Sequence, residues 1–226
     1  MKKEKVVFLL PCLNEVESVR KVIDRINYIK FSDRFEHKIY FVDGGSVDGT
    51  VEELKKFDVE VLTYKKGYGR QYRYAFKKID CDYFITGDCD CTYPFGLAYK
   101  YFLDFIIEKE YDFISTNRFH KLHKGSMPNI RFVGNKILTL FTNLIFNLSL
   151  KDSQSGMWIF RKNVLKKFIL INNDMAFSEE LKIEAFRKLS KNKVCELPIN
   201  YFKRSGDSKL NFSHSYKNFI FLFFKK

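Results

Sequence analysis

Two carboxylates, Asp88 and Asp90, stand two positions apart directly after the apolar stretch YFIT, within the segment GDCDCTYP. Carboxylate oxygens are the ligands that Mg²⁺ and Mn²⁺ prefer, and such an ion can hold a diphosphate at the same time. Side chains alternate along a strand, so Cys89 and Cys91 are expected on the other face, which disfavours a thiolate site. The spacing therefore predicts that Asp88 and Asp90 bind a divalent metal ion.

Two further polar segments, PCLNE (11–15) and DGGSVDGT (43–50), follow apolar stretches earlier in the chain. A glycine-rich turn that enters a helix lets the backbone approach a ligand closely. The same turn is also typical of an ordinary strand-to-helix connection with an Asp cap. A Walker loop is excluded because no Gly-Lys-Ser/Thr follows, and an EF-hand loop is excluded because its twelfth position would fall on Leu54.

The order strand-Asp-x-Asp-x-Thr also occurs in phosphatases of the haloacid dehalogenase type, where the first Asp is a nucleophile and the second a general acid or base. Their motif follows the first strand of the core and needs a later acidic pair for Mg²⁺. Here the motif follows the fourth predicted strand. The single adjacent acidic pair after Asp112 is Glu179-Glu180, inside a predicted helix. We therefore reject the phosphatase interpretation.

The excess positive charge lies in the second half of the chain. The 226 residues carry a formal net charge of +13 at pH 7. Residues 1–110 hold 19 basic and 19 acidic side chains, whereas residues 111–226 hold 21 basic and 8 acidic ones. Between Asp112 and Asp152 there is no carboxylate, but there are six basic residues: Arg118, Lys121, Lys124, Arg131, Lys136 and Lys151. This stretch predicts an anionic partner, namely a phosphate, a nucleic acid or a membrane surface.

The composition excludes several classes of protein. Hydrophobic residues make up 46% and charged residues 30%, as in a globular chain. Five cysteines without CxxC spacing disfavour a zinc ribbon or a disulfide framework and indicate the reduced thiols of a cytosolic protein. The apolar run that ends at Pro11 is too short for a signal peptide. Val133–Leu150 and Phe219–Phe224 are too interrupted or too short to cross a membrane; each is expected to lie on one or to form a buried helix face.

Short apolar stretches alternate with segments of helical periodicity. The predicted strands are Val6–Leu10, Lys38–Val42, Val59–Thr63, Asp82–Thr86, Asp112–Thr116, Met157–Arg161 and Val194–Ile199. The predicted helices are Val16–Ile29, Val51–Phe57, Arg70–Ile79, Phe95–Lys109, Asn129–Leu150 and Ser178–Leu189, with a last one from Ser213. The alternation predicts an α/β fold with an open, mostly parallel, Rossmann-like sheet flanked by helices. Ligands of such sheets bind beyond the C-terminal ends of the strands, where the polar segments lie.

The polar segments also have the order and spacing of a known family. LPCLNE, VDGGSVDGT, KKGYGRQYRYAF and GDCDCTYP together resemble family 2 glycosyltransferases with the GT-A fold. STNRF, MPNIRFVGNKIL, DSQSGMWIF, FSEE and ELPINYFKRSGDSKL are similar to polyprenyl-phosphate or dolichyl-phosphate glycosyltransferases such as the dolichyl-phosphate mannose synthases. The resemblance spans Val6 to Leu210. It implies metal-dependent, inverting transfer of a hexose from a nucleotide-diphosphate sugar to a polyprenyl or dolichyl phosphate.

The resemblance implies roles for individual residues. The nucleotide-sugar site would comprise Pro11, Asn14, Glu15, Asp43, Ser46, Lys66, Arg70, Asp88 and Glu180. Asp88 and Asp90 match the DxD motif, which holds Mg²⁺ or Mn²⁺ and the donor diphosphate. The acceptor phosphate and the diphosphate would contact Arg118, Arg131, Arg204, Ser208 and Lys209. Asp90 and Asp152 would be catalytic, with Asp152 either a base or a residue that positions the metal or a basic side chain.

Two positions depart from the family pattern, one at a contact with the nucleotide base and one at a further metal ligand. Gly44 stands where the family often has a second Asp, and Thr92 stands where many dolichyl-phosphate mannose synthases have Gln. The variant TYP after the DxD motif, together with MP…GN and SGMW, is closer to users of UDP-glucose or UDP-N-acetylglucosamine than to users of GDP-mannose. The resemblance therefore implies a UDP-sugar as the favoured donor, with GDP-mannose as the alternative.

We expect a single GT-A catalytic domain over residues 1–212. Residues 1–110 would be its nucleotide and metal half, and residues 111–212 its acceptor half, with an amphipathic interface helix at 129–150. Residues 213–226 would form a membrane-proximal amphipathic segment, with the protein peripheral on the cytoplasmic face of a membrane. Two alternatives are a family 2 transferase with a non-lipid acceptor and a basic, aromatic-rich nucleic-acid-binding module. No RNP, KH or helix-turn-helix pattern favours the latter, so no nucleic acid is expected.

Overall fold

The computed structural model describes residues 3–206, which form seven strands and six α-helices. The strands are β1 (Glu4–Cys12), β2 (Phe35–Asp43), β3 (Glu60–Thr63), β4 (Tyr83–Thr86), β5 (Phe113–Leu122), β6 (Trp158–Arg161) and β7 (Val194–Tyr201). The helices are α1 (Val16–Asn27), α2 (Thr50–Leu54), α3 (Tyr68–Lys78), α4 (Phe95–Tyr101), α5 (Asn129–Phe146) and α6 (Phe177–Lys188). Ser208, Lys209 and the predicted C-terminal segment 213–226, with its helix, lie outside the described residues.

The strands form one sheet in the order β3-β2-β1-β4-β6-β5-β7. β1 pairs in parallel with β2 and β4, β2 with β3, and β5 with β7. β6 is antiparallel to both of its neighbours, β4 and β5. The predicted α/β fold with a mostly parallel open sheet is thus confirmed. Because β6 is antiparallel to both β4 and β5, those two strands run in the same direction, and the C-terminal ends of β1, β2, β4 and β5 all lie at the same edge.

Helices cover both faces of the sheet because the central strands are apolar on both sides. On β1, Val6, Phe8 and Leu10 pack into the layer that contains α1 and α4. Val7 and Leu9 point the other way and pack into the layer with α3 and α6. The continuous apolar run that predicted a buried parallel strand therefore contributes side chains to the hydrophobic cores on both faces of the sheet.

Two elements near the C-terminal edge differ from their predicted bounds. The predicted helix Phe95–Lys109 is α-helical only to Tyr101 and continues as a π-helical turn over Phe102–Ile107. β5 continues past its predicted end at Thr116 to Leu122, with a register shift against β7. This extension places Arg118 on a strand, which fixes its direction more firmly than a loop would.

Helix α5 buries one face and exposes another that is apolar. Its inner face carries the buried residues Leu138, Thr139, Thr142 and Phe146. Its outer face carries a stripe of five apolar side chains that are 48% to 69% exposed: Ile130, Val133, Ile137, Leu140 and Leu144. Their spacing of three and four residues aligns them along one side of the helix. Within residues 3–206 the structure has no helix that is both long enough and apolar enough to span a membrane.

Candidate active site

The carboxylate pair lies in the loop between β4 and α4, at the C-terminal edge of the sheet. Asp88 is half-buried and accepts a hydrogen bond from the Tyr68 hydroxyl at 3.1 Å. Asp90 is buried and accepts hydrogen bonds from the Thr92 hydroxyl at 2.6 Å and from the Arg204 guanidinium at 2.8 Å. These contacts fix both carboxylates, and among these three donors only Arg204 is a cation.

The electrostatics of this pair fit a divalent cation. Burial and the charge of Asp90 raise the pKa of Asp88 to about 7. A divalent ion between the two carboxylates would relieve this repulsion, and their hard oxygen atoms suit Mg²⁺ or Mn²⁺. Within residues 3–206 no group of three or more His, Cys, Asp or Glu side chains is placed to hold a metal. Asp88 and Asp90 are thus two candidate ligands, and a bound diphosphate and water would supply the others.

The carboxylate of Asp43 accepts hydrogen bonds within the turn that follows β2. It accepts hydrogen bonds from the N–H groups of Gly45 at 2.9 Å and Ser46 at 3.1 Å, and from the Ser46 hydroxyl. Gly45 has a φ of +93°, a conformation that glycine adopts without strain. Asp43 and Ser46 thus shape the turn after β2, and their predicted contact with a nucleotide stays a prediction.

The turn after β1 is joined to the turn after β2. The N–H of Asn14 donates to the Ser46 hydroxyl oxygen at 2.7 Å, and the N–H of Glu15 donates to that of Thr50 at 2.8 Å. Pro11 is buried within β1, just before this junction. The two polar segments that the resemblance places in one nucleotide site are therefore adjacent at the edge of the sheet.

Arg204 links this junction to the carboxylate pair. Its guanidinium forms ion pairs with both Glu15 and Asp90. The N–H of Ser205 donates to the carbonyl of Asp90 at 2.9 Å, which ties the segment after β7 to the same loop. The Nε of Arg204 is buried and has no hydrogen-bond partner in the described part of the chain. Arg204 thus holds two acidic groups at the edge of the sheet.

Arg118 and Asp152 form a buried ion pair beside the site. Nε of Arg118 donates to Oδ2 of Asp152 at 2.7 Å, and Nη2 donates to Oδ1 at 2.9 Å. Asp152 is fully buried, Arg118 is 7% exposed, and the Tyr201 ring lies 5.4 Å from the guanidinium carbon. Nη1 of Arg118 donates to no residue among those that the structure describes.

This pairing argues against Asp152 as a base. Burial opposes its ionisation, but the charge and hydrogen bonds of Arg118 outweigh burial and hold the pKa of Asp152 below its ordinary value. Its oxygens also accept the backbone N–H groups of Arg118 at 3.1 Å and Gln154 at 3.0 Å. A carboxylate with a low pKa and four hydrogen bonds is a poor proton acceptor. Of the predicted roles, the geometry favours positioning of a basic side chain.

Glu180 holds a loop next to the glycine-rich start of α3. Its carboxylate accepts the N–H groups of the loop residues Ile171 at 3.0 Å and Asn172 at 2.9 Å. The loop is packed so closely that a Cβ on Gly69 would lie 2.5 Å from the carbonyl oxygen of Asn172. Glu180 therefore acts on this region through the loop backbone, and direct contact with a sugar stays a prediction.

Three predicted binding residues are partly or fully exposed around the edge of the site. Lys66 is exposed and Arg70 is half-buried, and the Arg70 guanidinium donates to the Lys66 carbonyl at 3.1 Å. Arg131 is half-buried in the first turn of α5. Their predicted contacts with a nucleotide (Lys66 and Arg70) and with phosphate (Arg131) stay predictions.

Sequence reasoning missed three residues that surround Asp88. Tyr68 donates to Asp88, and the hydroxyl of Tyr93 accepts the N–H of Gly156 at 2.7 Å. A Cβ on Gly156 would lie 2.5 Å from the Tyr68 hydroxyl oxygen and 3.3 Å from Oδ1 of Asp88. Glycine at the end of the DSQSG segment was the signal available, since close approach of a backbone to a side chain requires it.

Glu179 is a second buried carboxyl group behind the ion pair. Its Oε1 accepts hydrogen bonds from the hydroxyls of Thr142 and, at 3.2 Å, Ser153. Its Oε2 has no hydrogen-bond partner in the described residues. Burial is the main cause that raises the pKa of Glu179 to about 7. Ionised Glu179 therefore costs the folded state free energy that neutral Glu179 does not.

The Glu179→Gln variant is expected to gain stability over the unsubstituted protein as the pH rises. Glu179 is neutral in the folded state up to about pH 7 but ionises near its ordinary pKa when unfolded. Its contribution is therefore fully present at low pH and lost between the two pKa values, by roughly 3 kcal/mol. Urea unfolding at about pH 5 and about pH 8 measures the change. Exposed Glu17→Gln is the control, and parallel pH curves for Glu179→Gln and the unsubstituted protein would contradict the prediction.

The chain matches a family model and is similar to several curated proteins, two of which come from Haloferax volcanii. The model described as Glycosyl transferase family 2 matches residues 7–169. Two proteins of Haloferax volcanii are each 30% identical to the chain: the Low-salt glycan biosynthesis hexosyltransferase Agl6, over 205 residues, and the Dolichyl-phosphate hexose transferase, over 199 residues. The matches cover 89% and 88% of this chain. The chain spans about half the length of the first relative (49%) and 83% of the second.

Among solved structures, the chain is similar to glucosyl-3-phosphoglycerate synthase from Mycobacterium tuberculosis. The complex of that enzyme with Mn²⁺, uridine diphosphate and glucosyl-3-phosphoglycerate superposes with a TM-score of 0.77 at 16% identity, over 98% of this chain and 80% of that one. The complex with Mg²⁺ and uridine diphosphate gives a TM-score of 0.76 at 15% identity, over 98% and 79%. At this identity the likeness shows the fold, and it confirms the fold class predicted from the sequence.

Proposed function

The chain belongs to glycosyl transferase family 2, and from that premise we propose that it transfers a hexose from a nucleotide-diphosphate sugar to a polyprenyl or dolichyl phosphate. The observation that carries the proposal is the meeting of Asp88 and Asp90 with Arg118 and Arg204. The charges of both arginines act on Asp88, and Arg204 contacts Asp90 directly. The carboxylates suit a metal-bound diphosphate, and the arginines suit a second phosphate.

We assign donor binding to residues 1–110. The joined turns after β1 and β2 would hold the nucleotide, with these residues lining it: Pro11, Asn14, Glu15, Asp43, Ser46, Lys66 and Arg70. Asp88 and Asp90 would hold Mg²⁺ or Mn²⁺, which neutralises the charge that develops on the diphosphate as it leaves. UDP-glucose or UDP-N-acetylglucosamine is the favoured donor. The complexes of the mycobacterial synthase with uridine diphosphate and Mn²⁺ or Mg²⁺ support this assignment by fold.

The proposed reaction is a single displacement. A phosphate oxygen of the lipid forms a bond to the anomeric carbon while the bond from that carbon to the diphosphate breaks. The nucleoside diphosphate leaves with the electron pair, and the configuration of the sugar inverts. Because a phosphate monoester is already anionic at neutral pH, attack requires orientation and positive charge more than a base. The low pKa of Asp152 is compatible with this chemistry, since no proton has to be removed.

We assign the acceptor phosphate to Arg118 and the diphosphate to Arg204, which contacts Asp90 directly. Each has a guanidinium partly occupied by carboxylates, which fixes its direction, and each keeps one donor without a partner in residues 3–206. A guanidinium held in this way presents its N–H groups to phosphate without loss of side-chain freedom on binding. Arg131, Ser208 and Lys209 stay proposed contributors to the same anion site.

We propose that the outer face of α5 lies on the membrane that contains the lipid acceptor, at its cytoplasmic face. The exposed stripe supplies apolar side chains, and the half-buried or exposed Arg131 and Lys136 on the same helix supply positive charge for anionic lipids. All five cysteines of the chain are free thiols, as is usual in a reducing compartment. Helix α5 would thus bring the acceptor half, residues 111–212, to the phosphate of the lipid.

Replacing Leu140 and Leu144 together by Glu is expected to weaken binding to anionic vesicles at least tenfold. The two side chains are 56% and 69% exposed, so their loss removes apolar contact with lipid and adds charge at the surface. Sedimentation with vesicles of mixed neutral and anionic phospholipid at low salt gives the bound fraction. Tyr28→Glu is the matched control, because Tyr28 is 91% exposed and follows α1, outside the stripe on α5. Equal binding of both variants would refute the α5 surface, and a dimer-to-monomer change would assign the stripe to a second copy.

Replacing Gly156 by Ala is expected to lower the transfer rate about 100-fold, the size of effect seen when a catalytic group shifts by about 1 Å. The new methyl group cannot remain 2.5 Å from the Tyr68 hydroxyl oxygen, so the group that holds Asp88 must move. kcat/KM for the donor is the measurement. Gly134→Ala in α5 is the matched control, because a Cβ there meets no atom within 4 Å. Full activity of Gly156→Ala would show that this contact has no influence on the site.

The experiment that tests the function is a panel of donors and acceptors. Each of UDP-glucose, UDP-N-acetylglucosamine and GDP-mannose is supplied with a radiolabelled sugar, Mn²⁺ and a polyprenyl phosphate, and label in the lipid is counted. We expect transfer from a UDP-sugar. A parallel arm replaces the lipid with a water-soluble phosphorylated acceptor; transfer in that arm alone would establish the non-lipid alternative. The absence of transfer from every donor at every Mn²⁺ concentration would overturn the proposed function.

A further inference from the structure

The segment 151–156 carries Asp152 past the site without forming a helix or a strand. Side chains from neighbouring elements hold its backbone instead. Glu196 on β7 accepts the N–H of Asp152 at 2.9 Å and that of the preceding residue at 2.6 Å. Thr139 on α5 accepts the N–H of residue 153 at 3.0 Å, and the indole of Trp158 donates to the carbonyl of residue 155 at 3.0 Å. The position of Asp152 is therefore set by contacts from outside the segment.

Lys182 on α6 supplies the contact on the remaining side. Its Nζ donates to the carbonyl oxygen of Asp152 at 2.8 Å, and its side chain is fully buried. The charges that face it are those of Asp152, Glu196 and Glu179, which raise its pKa, and that of Arg118, which lowers it. Burial has the largest effect and lowers the pKa of Lys182 to about 7. The fold thus accepts a costly buried amine at this place.

Asp152 is consequently held at both ends. Lys182 binds its main-chain carbonyl, and Arg118 binds its carboxylate through two nitrogens. The same carboxylate fixes the plane of the Arg118 guanidinium and hence the direction of Nη1, the nitrogen without a partner in residues 3–206. A shift of the Asp152 backbone would therefore turn Nη1 away from its present direction.

We propose that Lys182 is a positioning residue for the acceptor phosphate: by anchoring the Asp152 carbonyl it sets the direction in which Arg118 presents Nη1. The proposal rests on the proposed function, because it takes the anion at Arg118 to be a lipid phosphate. Lys182 does not touch the substrate, since no part of its side chain is exposed. It acts on binding through Asp152 and Arg118.

The test compares Lys182→Met with the unsubstituted protein in a binding assay that does not depend on turnover. Trp158 is the single tryptophan of the chain, and its indole is hydrogen-bonded to segment 151–156. Its fluorescence therefore reports on the surroundings of that segment. We expect the Kd for farnesyl phosphate, a short polyprenyl monophosphate, to rise about tenfold. This is the effect of losing one hydrogen bond from the charged Arg118 guanidinium to the phosphate. The Kd for uridine diphosphate with Mn²⁺ should change less than about twofold, because those contacts lie elsewhere.

Kinetics provide the second readout. In Lys182→Met the KM for the polyprenyl phosphate should rise by the same factor, with the KM for the sugar donor unchanged. A purely structural role would lower the active fraction, and hence the apparent kcat, without separating the two KM values. Exposed Lys188→Met on the same helix is the matched control and should leave both KM values unchanged.

Two further variants keep the inference testable if Lys182→Met does not fold. Glu196→Gln alters the contact on the opposite side of Asp152 and should raise the same Kd without changing that for uridine diphosphate. In an Arg118→Lys background, which removes the two-nitrogen contact with Asp152, either substitution should add little.

Each outcome bears on one proposal. An unchanged farnesyl phosphate Kd in folded Lys182→Met, or equal changes for farnesyl phosphate and uridine diphosphate, would overturn the role of Lys182 and leave the proposed function intact. Binding of farnesyl phosphate with the expected tenfold change, but no transfer from any donor, would support Lys182 and overturn the proposed reaction. No binding of farnesyl phosphate by the unsubstituted protein would overturn both.

Discussion

Asp90→Asn is expected to lower kcat/KM for sugar transfer about 1,000-fold, which corresponds to about 4 kcal/mol of lost transition-state stabilisation. The substitution removes one of the two negative charges available to a metal ion. It also places an amide where Oδ2 now accepts a hydrogen bond from Arg204 at 2.8 Å. Oδ1 can still accept the hydroxyl and the N–H of Thr92, so the loop should keep its conformation. Initial rates at saturating Mn²⁺ measure the effect.

A measurement of Mn²⁺ binding distinguishes two causes of the lower kcat/KM in Asp90→Asn: a weaker metal site and a broken contact with Arg204. Calorimetric titration of Mn²⁺ in the presence of uridine diphosphate should show affinity reduced at least tenfold in Asp90→Asn. Asp58→Asn is the control, because Asp58 is exposed in the connection between α2 and β3. Full activity of Asp90→Asn would overturn the metal assignment. Lost activity with unchanged Mn²⁺ binding would transfer the effect to Arg204, whose ion pair with Asp90 is broken in the same variant.

The sheet and the carboxylate loop could be predicted because their signals are local. The run from Val6 to Leu10 is apolar on both faces, and only a strand between two helical layers buries both. Asp88 and Asp90 follow such a strand directly, so the strand end places them at the edge. Membership in the family and the GT-A fold follow from several such segments in a fixed order.

The missed features depend on contacts that no local pattern encodes. β6 is four residues long, and its antiparallel insertion between β4 and β5 is decided by strands that are distant in sequence. Lys182 gave no signal, because a lysine in a helix is normally exposed and α6 buries it through contacts with segment 151–156. Arg118 was predicted to bind phosphate and Asp152 to be catalytic, but their pairing across 34 residues was not predicted.

The pairing favours one of the roles predicted for Asp152, the positioning of a basic side chain, over that of a base, and the reason is electrostatic. A base needs a carboxylate whose pKa is near the working pH and whose oxygens can accept a proton. Asp152 has the opposite properties, since burial alone would raise its pKa but Arg118 holds it low. Asp152 therefore holds the Arg118 guanidinium in place. Arg118 lies in the basic stretch of the sequence, which has no carboxylate between residues 113 and 151.

Arg118→Met is expected to destabilise the fold by about 3 to 5 kcal/mol at neutral pH, because it leaves the Asp152 carboxylate buried without its counter-ion. Urea unfolding monitored by circular dichroism gives the change in free energy of unfolding. Arg20→Met is the control, since Arg20 is exposed on α1. A destabilisation below about 1 kcal/mol, the size of a surface ion pair, would contradict the buried pair.

The pH dependence of the Arg118→Met effect tests its cause. In the unsubstituted protein the pKa of Asp152 is lowered on folding, so its stabilising contribution is present above the ordinary pKa and lost as the pH falls. Without Arg118, burial dominates and the pKa of Asp152 rises on folding, so the sign reverses and acidification favours the folded variant. The stability difference between the two proteins should therefore be largest near neutral pH and shrink as the pH falls.

Adding Asp152→Asn to Arg118→Met should recover part of the lost stability, because a neutral amide costs less to bury than an unpaired carboxylate. Acceptor affinity should stay low in the double variant, since the cation is still missing; recovered affinity would place the acceptor phosphate elsewhere.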